Sequence, residues 1–177
     1  MVGGVANNLL QGFGGTDILE GHEGDDLLDG GDGDDALQGG LGGDILDGGA
    51  GFDSARYDGA VAGVTIYVDA AYANQGEAAG DFHISIEGIV GSTFGDYLVG
   101  GVANNILQGF SGHDILEGHG GDDLLDGGDG NDQMNGGTGG DIFDGGAGFD
   151  TVRYDGATAG VIAFMTDAWA NTGEAAG

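Results

Sequence analysis

A nine-residue period runs through most of the chain and restricts the folds that it can adopt. Six consecutive nonapeptides from Gly3 to Arg56, and seven more from Gly91 to Arg153, share the frame G-G-x-G-x-D-x-Φ-x, in which Φ is apolar. Glycine and aspartate in the first six positions predict a turn, because glycine tolerates positive φ angles. The last three positions, such as ILE or LLD, are long enough for a very short strand. The chain therefore alternates turns and strands at a fixed spacing.

Two nonapeptides make one coil of 18 residues, so equivalent turns stack at every second repeat. The middle side chain of a three-residue strand faces the side opposite to its neighbours. We therefore expect an all-β solenoid whose eighth positions fill the interior, whose seventh positions face outward and whose ninth-position carboxylates face water. The interior residues are then Leu10, Leu19, Leu28, Leu37 and Leu46, the outward apolar residues Leu9, Ile18, Leu27 and Ile45, and the ninth-position acids Glu20, Asp29 and Asp47.

The sixth-position residues of the stacked turns form rows in a strongly acidic chain. In the first block one row contains Asn8, Asp26 and Asp44, and the other contains Asp17, Asp35 and Asp53. The chain has 31 acidic residues against two arginines, and its formal net charge is −29. Such a charge excludes nucleic acid, anionic lipid and acidic polysaccharide as partners, and favours cations. Stacked carboxylates beside backbone carbonyls favour Ca²⁺, which takes roughly six to eight oxygen ligands in flexible geometry.

The nonapeptide resembles the repeat of the RTX (haemolysin-type) calcium-binding proteins over residues 3–56 and 91–153. The resemblance implies a parallel β-roll, a right-handed β-solenoid, with each Ca²⁺ between two turns 18 residues apart. The first turn would supply its Asp and the carbonyls of its second and fourth residues. The next-but-one turn would supply its Asp and the carbonyls of its first and third residues. One such site would combine Phe13, Gly15 and Asp17 with Gly30, Asp32 and Asp35.

Pairing the turns in this way implies four sites in the first roll and five in the second, or about seven to nine ions. In the first roll the implied ligand residues are Asn8, Phe13, Gly15, Asp17, His22, Gly24, Asp26, Gly30, Gly31, Asp32, Gly33, Asp35, Gly39, Leu41, Asp44, Gly48, Ala50 and Asp53. In the second roll they are Asp96, Asn105, Gly109, Phe110, Ser111, Gly112, Asp114, Gly118, His119, Gly120, Gly121, Asp123, Gly127, Gly128, Asp129, Gly130, Asp132, Gly136, Thr138, Asp141, Gly145, Ala147 and Asp150. The sequence departs from the family pattern at Asn8 and Asn105, which replace Asp, and in the turn that ends at Asp96.

A longer repeat groups the nonapeptides into two blocks. Residues 1–80 and 98–177 are identical at 58 of 80 positions. We expect a first β-roll over 1–56, a connecting or capping β segment over 57–90, a second β-roll over 91–153, and the start of a second capping segment over 154–177. Both ends cut through a unit, which suggests an excerpt from a longer tandem array. Within 57–90 the alternating stretches VTIYV and FHISIEGIV predict two strands.

Residues outside the nonapeptide frame are expected to have structural roles. Arg56 and Arg153 should form ion pairs with nearby carboxylates. Both copies share a tyrosine, an asparagine and a glutamate that we assign to the caps: Tyr57, Asn74 and Glu77 in the first copy, and Tyr154, Asn171 and Glu174 in the second. The stretch HEGDD lacks the second histidine of the zinc-protease motif. No apolar run is long enough for a membrane span, and the chain has no cysteine and starts without a signal peptide.

Two functional hypotheses of different classes fit these features. The first is a non-enzymatic calcium-binding module that folds as it binds several Ca²⁺ ions. The resemblance adds a larger secreted bacterial protein, exported by type I secretion, with an extracellular or cell-surface location. The alternative is an adhesive array that presents a surface to carbohydrate or protein, or that self-associates or packs against neighbouring repeats of a longer chain. This chain could also be the non-catalytic RTX portion of a secreted enzyme, since no nucleophile, base and orienting group stand at plausible spacing within it.

Overall fold

The computed structural model describes residues 1–69 and 73–155, which form short β-strands joined by turns. The strands are β1 (Leu9–Gln11), β2 (Ile18–Glu23), β3 (Leu27–Asp32), β4 (Ala36–Leu41), β5 (Ile45–Ala50), β6 (Ser54–Arg56), β7 (Thr65–Tyr67), β8 (Phe82–Ile84), β9 (Gly88–Val90), β10 (Tyr97–Val99), β11 (Ile106–Gln108), β12 (Ser111–Gly112), β13 (Ile115–Glu117), β14 (Leu124–Asp126), β15 (Asp129–Gly130), β16 (Gln133–Asn135), β17 (Ile142–Asp144) and β18 (Thr151–Val152). A single 3₁₀ turn is described, at Gly76–Ala78. The strands stack as a parallel β-solenoid of about eight turns, which confirms the expected fold class.

Three parallel sheets form the walls of the solenoid. The first runs β1-β3-β5-β8, the second β2-β4-β6-β9-β11-β14-β17, and the third β7-β10-β13-β16-β18, while β12 and β15 pair separately. Within the repeats, paired residues lie 18 positions apart, as Leu10 and Leu28 do. That distance equals two nonapeptides. The second sheet contains strands from both blocks and from the segment between them, so it is continuous along the described chain.

The core is a column of eighth-position side chains. Leu19, Leu28, Leu37 and Leu46 are completely buried, and the second block continues the column with Leu107, Leu116, Leu125 and Met134. Each buried leucine contributes about 1.5–3 kcal/mol by leaving water. The seventh-position residues Leu9, Ile18, Leu27 and Ile45 are exposed as expected, for example Ile18 at 60%. The ninth-position acids Glu20, Asp29 and Asp47 differ from the expectation, because neighbouring coils cover them and leave them half-buried.

Strands β2 to β5 are longer than the three residues that the frame predicts. Each has six residues and extends into the first half of the following turn. The backbone ladder continues there because the third position of one turn bonds to the second and fourth positions of the turn stacked on it. Between the first two coils, for example, the Asp32 N–H donates to the Phe13 carbonyl and the Gly15 N–H donates to the Asp32 carbonyl. The turns are therefore held to one another by backbone bonds before any cation is considered.

The segment 57–90 adds its own strands to the solenoid. The stretch expected to be one strand at 82–90 forms two, β8 and β9, because Ser85–Glu87 make a turn and Ser85 adopts a φ of 50°. Strand β8 pairs with β5, β9 lies between β6 and β11, and β7 pairs with β10. The second capping segment cannot be compared in this way, because 156–177, with Asn171 and Glu174, lies outside the described residues.

The expected arginine ion pairs are present. Arg56 binds Asp58 through two hydrogen bonds, with 2.7 Å between Nη2 and Oδ2, and Arg153 binds Asp155. The Arg56 guanidinium lowers the pKa of Asp58. Both pairs are at least a third exposed, so they are surface features. Across 1–69 and 73–155, no helix has the length and apolar character needed to cross a membrane.

Candidate metal sites

A ladder of hydrogen bonds joins the sixth-position residues of stacked turns. The backbone N–H of Asp17 donates to Asp35 Oδ1 at 2.7 Å, and that of Asp35 donates to Asp53 Oδ1 at 2.8 Å. All nine expected pairs of turns make this bond, at 2.7 to 3.1 Å; the remaining seven join Asn8 to Asp26, Asp26 to Asp44, Asp96 to Asp114, Asn105 to Asp123, Asp114 to Asp132, Asp123 to Asp141, and Asp132 to Asp150. The expected rows therefore exist, and each carboxylate is oriented through Oδ1.

The second oxygen of most of these carboxylates is buried without a hydrogen-bond partner. This holds for Oδ2 of eight residues: Asp26, Asp35, Asp44, Asp53, Asp114, Asp123, Asp132 and Asp150. A buried acceptor without a donor costs about 1–3 kcal/mol, and more when it is charged. Neither arginine compensates this charge, since both bind aspartates at the surface. A bound cation is the partner that these oxygens require.

The first-position glycines show where such a cation would lie. A Cβ built on Gly30 would come within 3.0 Å of both Asp35 Oδ2 and the Gly48 carbonyl oxygen. Gly12, Gly21, Gly109 and Gly118 have equivalent surroundings, each with a sixth-position Oδ2 on one side and the first-position carbonyl of the next-but-one turn on the other. The two oxygens thus border a common space that a side chain would fill. These residues fit the ligand pattern that the resemblance implied for this position.

Fourth-position carbonyls also face the gap between stacked turns. A Cβ on Gly33 would meet the Gly15 carbonyl oxygen, and one on Gly51 would meet that of Gly33. Both glycines have φ above +130°, which other residues rarely adopt. The glycines therefore allow the backbone to present carbonyl oxygens along the stack, where the expected sites need them.

Burial changes the protonation of the row carboxylates. It raises the pKa of Asp44 to about 6 and that of Asp114 to about 7, and it also raises the pKa of Asp53, Asp123 and Asp132. Charges of neighbouring row members raise these pKa values further. Without a cation, these five carboxylates therefore ionise less readily than ordinary aspartates.

The donor set consists of carboxylate and carbonyl oxygens. Among the described residues, no three or more His, Asp or Glu side chains gather around one point in a metal-binding arrangement. A site in the rows would combine row carboxylates with backbone carbonyls. Hard oxygen donors in a flexible arrangement suit Ca²⁺, whereas Mg²⁺ demands a tight octahedron and keeps its waters.

Three of the expected sites include residues whose polar atoms are already satisfied. Asn105 Oδ1 accepts the Gly101 N–H, and its Nδ2 donates to the Glu87 carbonyl. Asn8 Oδ1 likewise accepts the Gly4 N–H. Asp96 differs from the other aspartates, because its two oxygens accept hydrogen bonds from Ser92 and from the Val64 N–H. These three residues lack the buried oxygen without a hydrogen-bond donor that the eight aspartates above have.

Four second-position residues hold a backbone conformation that favours glycine. Phe13, His22, Phe110 and His119 have φ between 70° and 81°. The Phe13, Phe110 and His119 carbonyls, which the resemblance makes ligands, accept hydrogen bonds from Asp32, Asp129 and Thr138 of the next-but-one turn. Their side chains are exposed and take no part in the rows. The implied ligands at these positions are thus backbone atoms.

Two row members lie outside the nonapeptide frame, and sequence reasoning missed them. Asp81 Oδ1 accepts the Asp44 N–H at 2.9 Å, and Glu87 Oε2 accepts the Asp53 N–H at 3.1 Å. They follow their partners by 37 and 34 residues instead of 18. Both stand directly before a short apolar strand, in DFHI and EGIV, as the nonapeptide aspartates do. That local signal could have identified them.

Asp81 is satisfied by the protein itself. The Tyr57 hydroxyl donates to its Oδ2 at 2.8 Å and lies 2.8 Å from His83 Nε2, while Asn74 Nδ2 donates to the Asp81 carbonyl. Tyr57 and Asp81 are completely buried. Burial raises the pKa of Asp81 to about 7 and that of Tyr57 well above its usual value, and it lowers the pKa of His83 to about 4. The expected cap residues Tyr57 and Asn74 thus belong to a buried polar network.

Comparison with known families agrees with this geometry. The fold and the turns define a repeat solenoid that presents carboxylate and carbonyl oxygens between its coils. The family model of the RTX calcium-binding nonapeptide repeat matches the chain in four copies, over residues 1–28, 20–55, 90–125 and 117–152, which together cover more than half of it. The chain belongs to this family and is a calcium-binding repeat module. A search of curated proteins found no match.

Proposed function

We propose that this chain is a non-catalytic module whose repeats fold when they bind several Ca²⁺ ions in an extracellular environment. The observation that carries the proposal is the set of eight buried, unpartnered Oδ2 atoms in the sixth-position rows. Ionised and without a cation, they would oppose the compact coil. Nine ions would offset 18 of the 29 net negative charges. Each site filled at about ten times its dissociation constant adds roughly 1.4 kcal/mol, so eight or nine approach the whole stability of an ordinary domain.

Calcium-dependent folding also supports a secreted protein. RTX repeats are typical of secreted bacterial proteins, and a chain that stays unfolded at low calcium is suited to export before folding. Calcium modules that work outside the cell bind with dissociation constants of roughly 0.1–1 mM. The module would then fold only after it reaches the extracellular space or the cell surface.

Small-angle scattering tests this proposal. We expect the radius of gyration of the metal-free chain to approach the roughly 45 Å of an unfolded chain of this length, and to fall toward that of a compact domain, about 16 Å, at millimolar calcium. Magnesium at the same concentration serves as the control and should leave the chain expanded. A metal-free chain that is already compact, or an equal response to magnesium, would refute calcium-driven folding.

One surface feature favours a second candidate, a module that also presents a binding face. The seventh-position residues Leu9, Leu27 and Ile45 of the first sheet are in register with Phe82 of the connecting segment, and all four are 39–59% exposed. A contiguous exposed apolar row of this kind is often functional. Light scattering of the calcium-loaded protein tests self-association through this row. Replacing Leu27 and Ile45 by serine should abolish any dimer, whereas serine at Ile18 and Ile115, on the other two sheets, should not.

A further inference from the structure

The last turn of the first block faces an acidic residue that lies outside any nonapeptide. Glu87 occupies the place that the next sixth-position aspartate would take, and its Oε2 accepts the Asp53 N–H. The backbone fixes this pairing from the other side, since the N–H groups of Glu87 and Gly88 both donate to the Asp53 carbonyl. The two carboxylates are therefore held together as firmly as the aspartate pairs of the repeats.

The turn that carries Glu87 is shorter than a nonapeptide turn. Ser85–Glu87 span the interval between β8 and β9 in three residues, whereas a nonapeptide turn uses six. Glutamate is one methylene longer than the aspartate that the nonapeptides carry at this place, and its carboxylate accepts the Asp53 N–H at 3.1 Å. Strand β9 then joins β6 in the same register that the repeats use.

Asp53 retains an oxygen that needs a partner. It is completely buried, and its Oδ2 has no hydrogen-bond donor. A Cβ built on Gly48 would lie within 3.0 Å of both the Asp53 carboxyl group and the Ser85 carbonyl oxygen. In the repeats, the same space is bordered by a sixth-position carboxylate and a first-position glycine carbonyl. Ser85 therefore supplies the carbonyl that Gly48 supplies to the preceding site.

From these contacts we propose a further Ca²⁺ site at the junction of the first block and the segment 57–90, formed by Asp53, Glu87 and the Ser85 carbonyl oxygen. It is additional to the nine pairs that the nonapeptide frame implies, because its second half comes from a turn without the glycine-rich motif. The proposal rests on calcium binding by the repeats. The proposal does not extend to the neighbouring pair of Asp44 and Asp81, where only Asp44 Oδ2 is unpartnered and the Tyr57 hydroxyl donates to Asp81 Oδ2.

Calcium stoichiometry of the full chain, measured by equilibrium dialysis or calorimetry, tests this site. The variant Glu87→Gln keeps an oxygen that accepts the Asp53 N–H but removes the charge. We expect it to bind one Ca²⁺ fewer than the parent chain. Glu77→Gln is the matched control, because Glu77 is a half-buried carboxylate of the same segment outside the rows. It should bind the same number of ions as the parent.

Equal stoichiometry and affinity for Glu87→Gln and the parent would overturn the junction site while leaving the repeat sites intact. A parent chain that binds no calcium would instead refute the proposed function itself. If Glu87→Gln does not fold, Glu87→Asp provides the test, since it keeps the charge but withdraws the carboxylate by one methylene. That variant should bind one ion several-fold more weakly, and unchanged affinity would count against the site.

Discussion

The repeats and the segment between them build the same coil in different ways. In the repeats, row aspartates such as Asp35 and Asp114 keep a buried Oδ2 without a donor. In the segment, the equivalent oxygen of Asp81 accepts a hydrogen bond from Tyr57, and Asn74 ties the same turn to β7 through the Tyr67 N–H. The solenoid thus contains turns that need a cation and turns, such as that of Asp81, that are completed by protein groups. An aspartate of these rows therefore marks a cation site only where no protein group donates a hydrogen bond to its second oxygen.

The two regions also differ in their cores. The repeats bury one column of leucines, whereas the segment adds larger or more varied side chains, including Tyr57, Ile66, Ile86 and Ile89. The apolar surface buried by these residues stabilises the coil independently of calcium. We therefore expect the repeats to respond to calcium more strongly than the segment does.

The largest effect should come from removing a carboxylate that two sites share. Asp35→Asn keeps the acceptor for the Asp17 N–H but removes the charge from both expected sites that include this residue. We expect two fewer bound ions and, at calcium about ten times the dissociation constant, a loss of about 3 kcal/mol in unfolding free energy. Calorimetric calcium titration and thermal unfolding measure both quantities.

The adjacent residue provides the control for this variant. Asp34 is exposed, and its Oδ1 accepts the Phe52 N–H, a bond that asparagine preserves. Asp34→Asn makes the same change in net charge outside the rows, and it should leave the calcium stoichiometry unchanged. Equal losses in the two variants would mean that charge alone, and not the row position, determines calcium binding.

A smaller effect, independent of calcium, is expected in the segment. Tyr57→Phe removes the hydroxyl that satisfies Asp81 and should cost about 1–3 kcal/mol of unfolding free energy. Burial already raises the pKa of Asp81 to about 7, and loss of the Tyr57 hydrogen bond raises it further, so we expect a protonated Asp81 and an unchanged number of bound ions. Tyr97→Phe is the control, since its hydroxyl bonds to Glu117 at a half-buried position. A larger loss in Tyr97→Phe than in Tyr57→Phe would contradict the importance of the buried network.

The metal-free chain should gain structure as pH falls. Burial raises the pKa of Asp44 to about 6 and that of Asp114 to about 7, above the values expected in the unfolded chain. The folded state therefore binds more protons between about pH 4 and 7, and its stability decreases as pH rises through this window. Circular dichroism of calcium-free protein at pH 4.5 and 7.5 measures the change. More β-structure at the higher pH would contradict the sign of this prediction.

The smallest effect is expected at the surface. Arg56→Gln breaks the ion pair with Asp58, which is about one third exposed on both sides. Such pairs contribute about 0–1 kcal/mol and weaken in salt. Thermal unfolding of the calcium-loaded variant should show a shift that shrinks as salt is raised. A loss as large as that of Asp35→Asn would show that this pair is structurally more important than its exposure indicates.

The nonapeptide period predicted the solenoid, its leucine column and the pairing of the rows, because a strict period requires equivalent residues to stack. It could not predict Asp81 and Glu87, since extra residues in the segment place them 37 and 34 positions after their row partners instead of 18. Nor could it show that Asn105 and Asp96 complete their own turns, because this depends on the approach of Gly101, Ser92 and Val64. Contacts that the period does not specify therefore decide which row members remain open to a cation.

Far-UV circular dichroism during a calcium titration of metal-free protein at pH 7.5, with magnesium as the control, tests the central claim most directly. We expect a cooperative transition from coil to β-structure with calcium but not with magnesium, with its midpoint at a calcium concentration of roughly 0.1–1 mM. A metal-free chain that already has full β-structure and does not respond to calcium would contradict it, because the aspartate rows would then be stable without a cation.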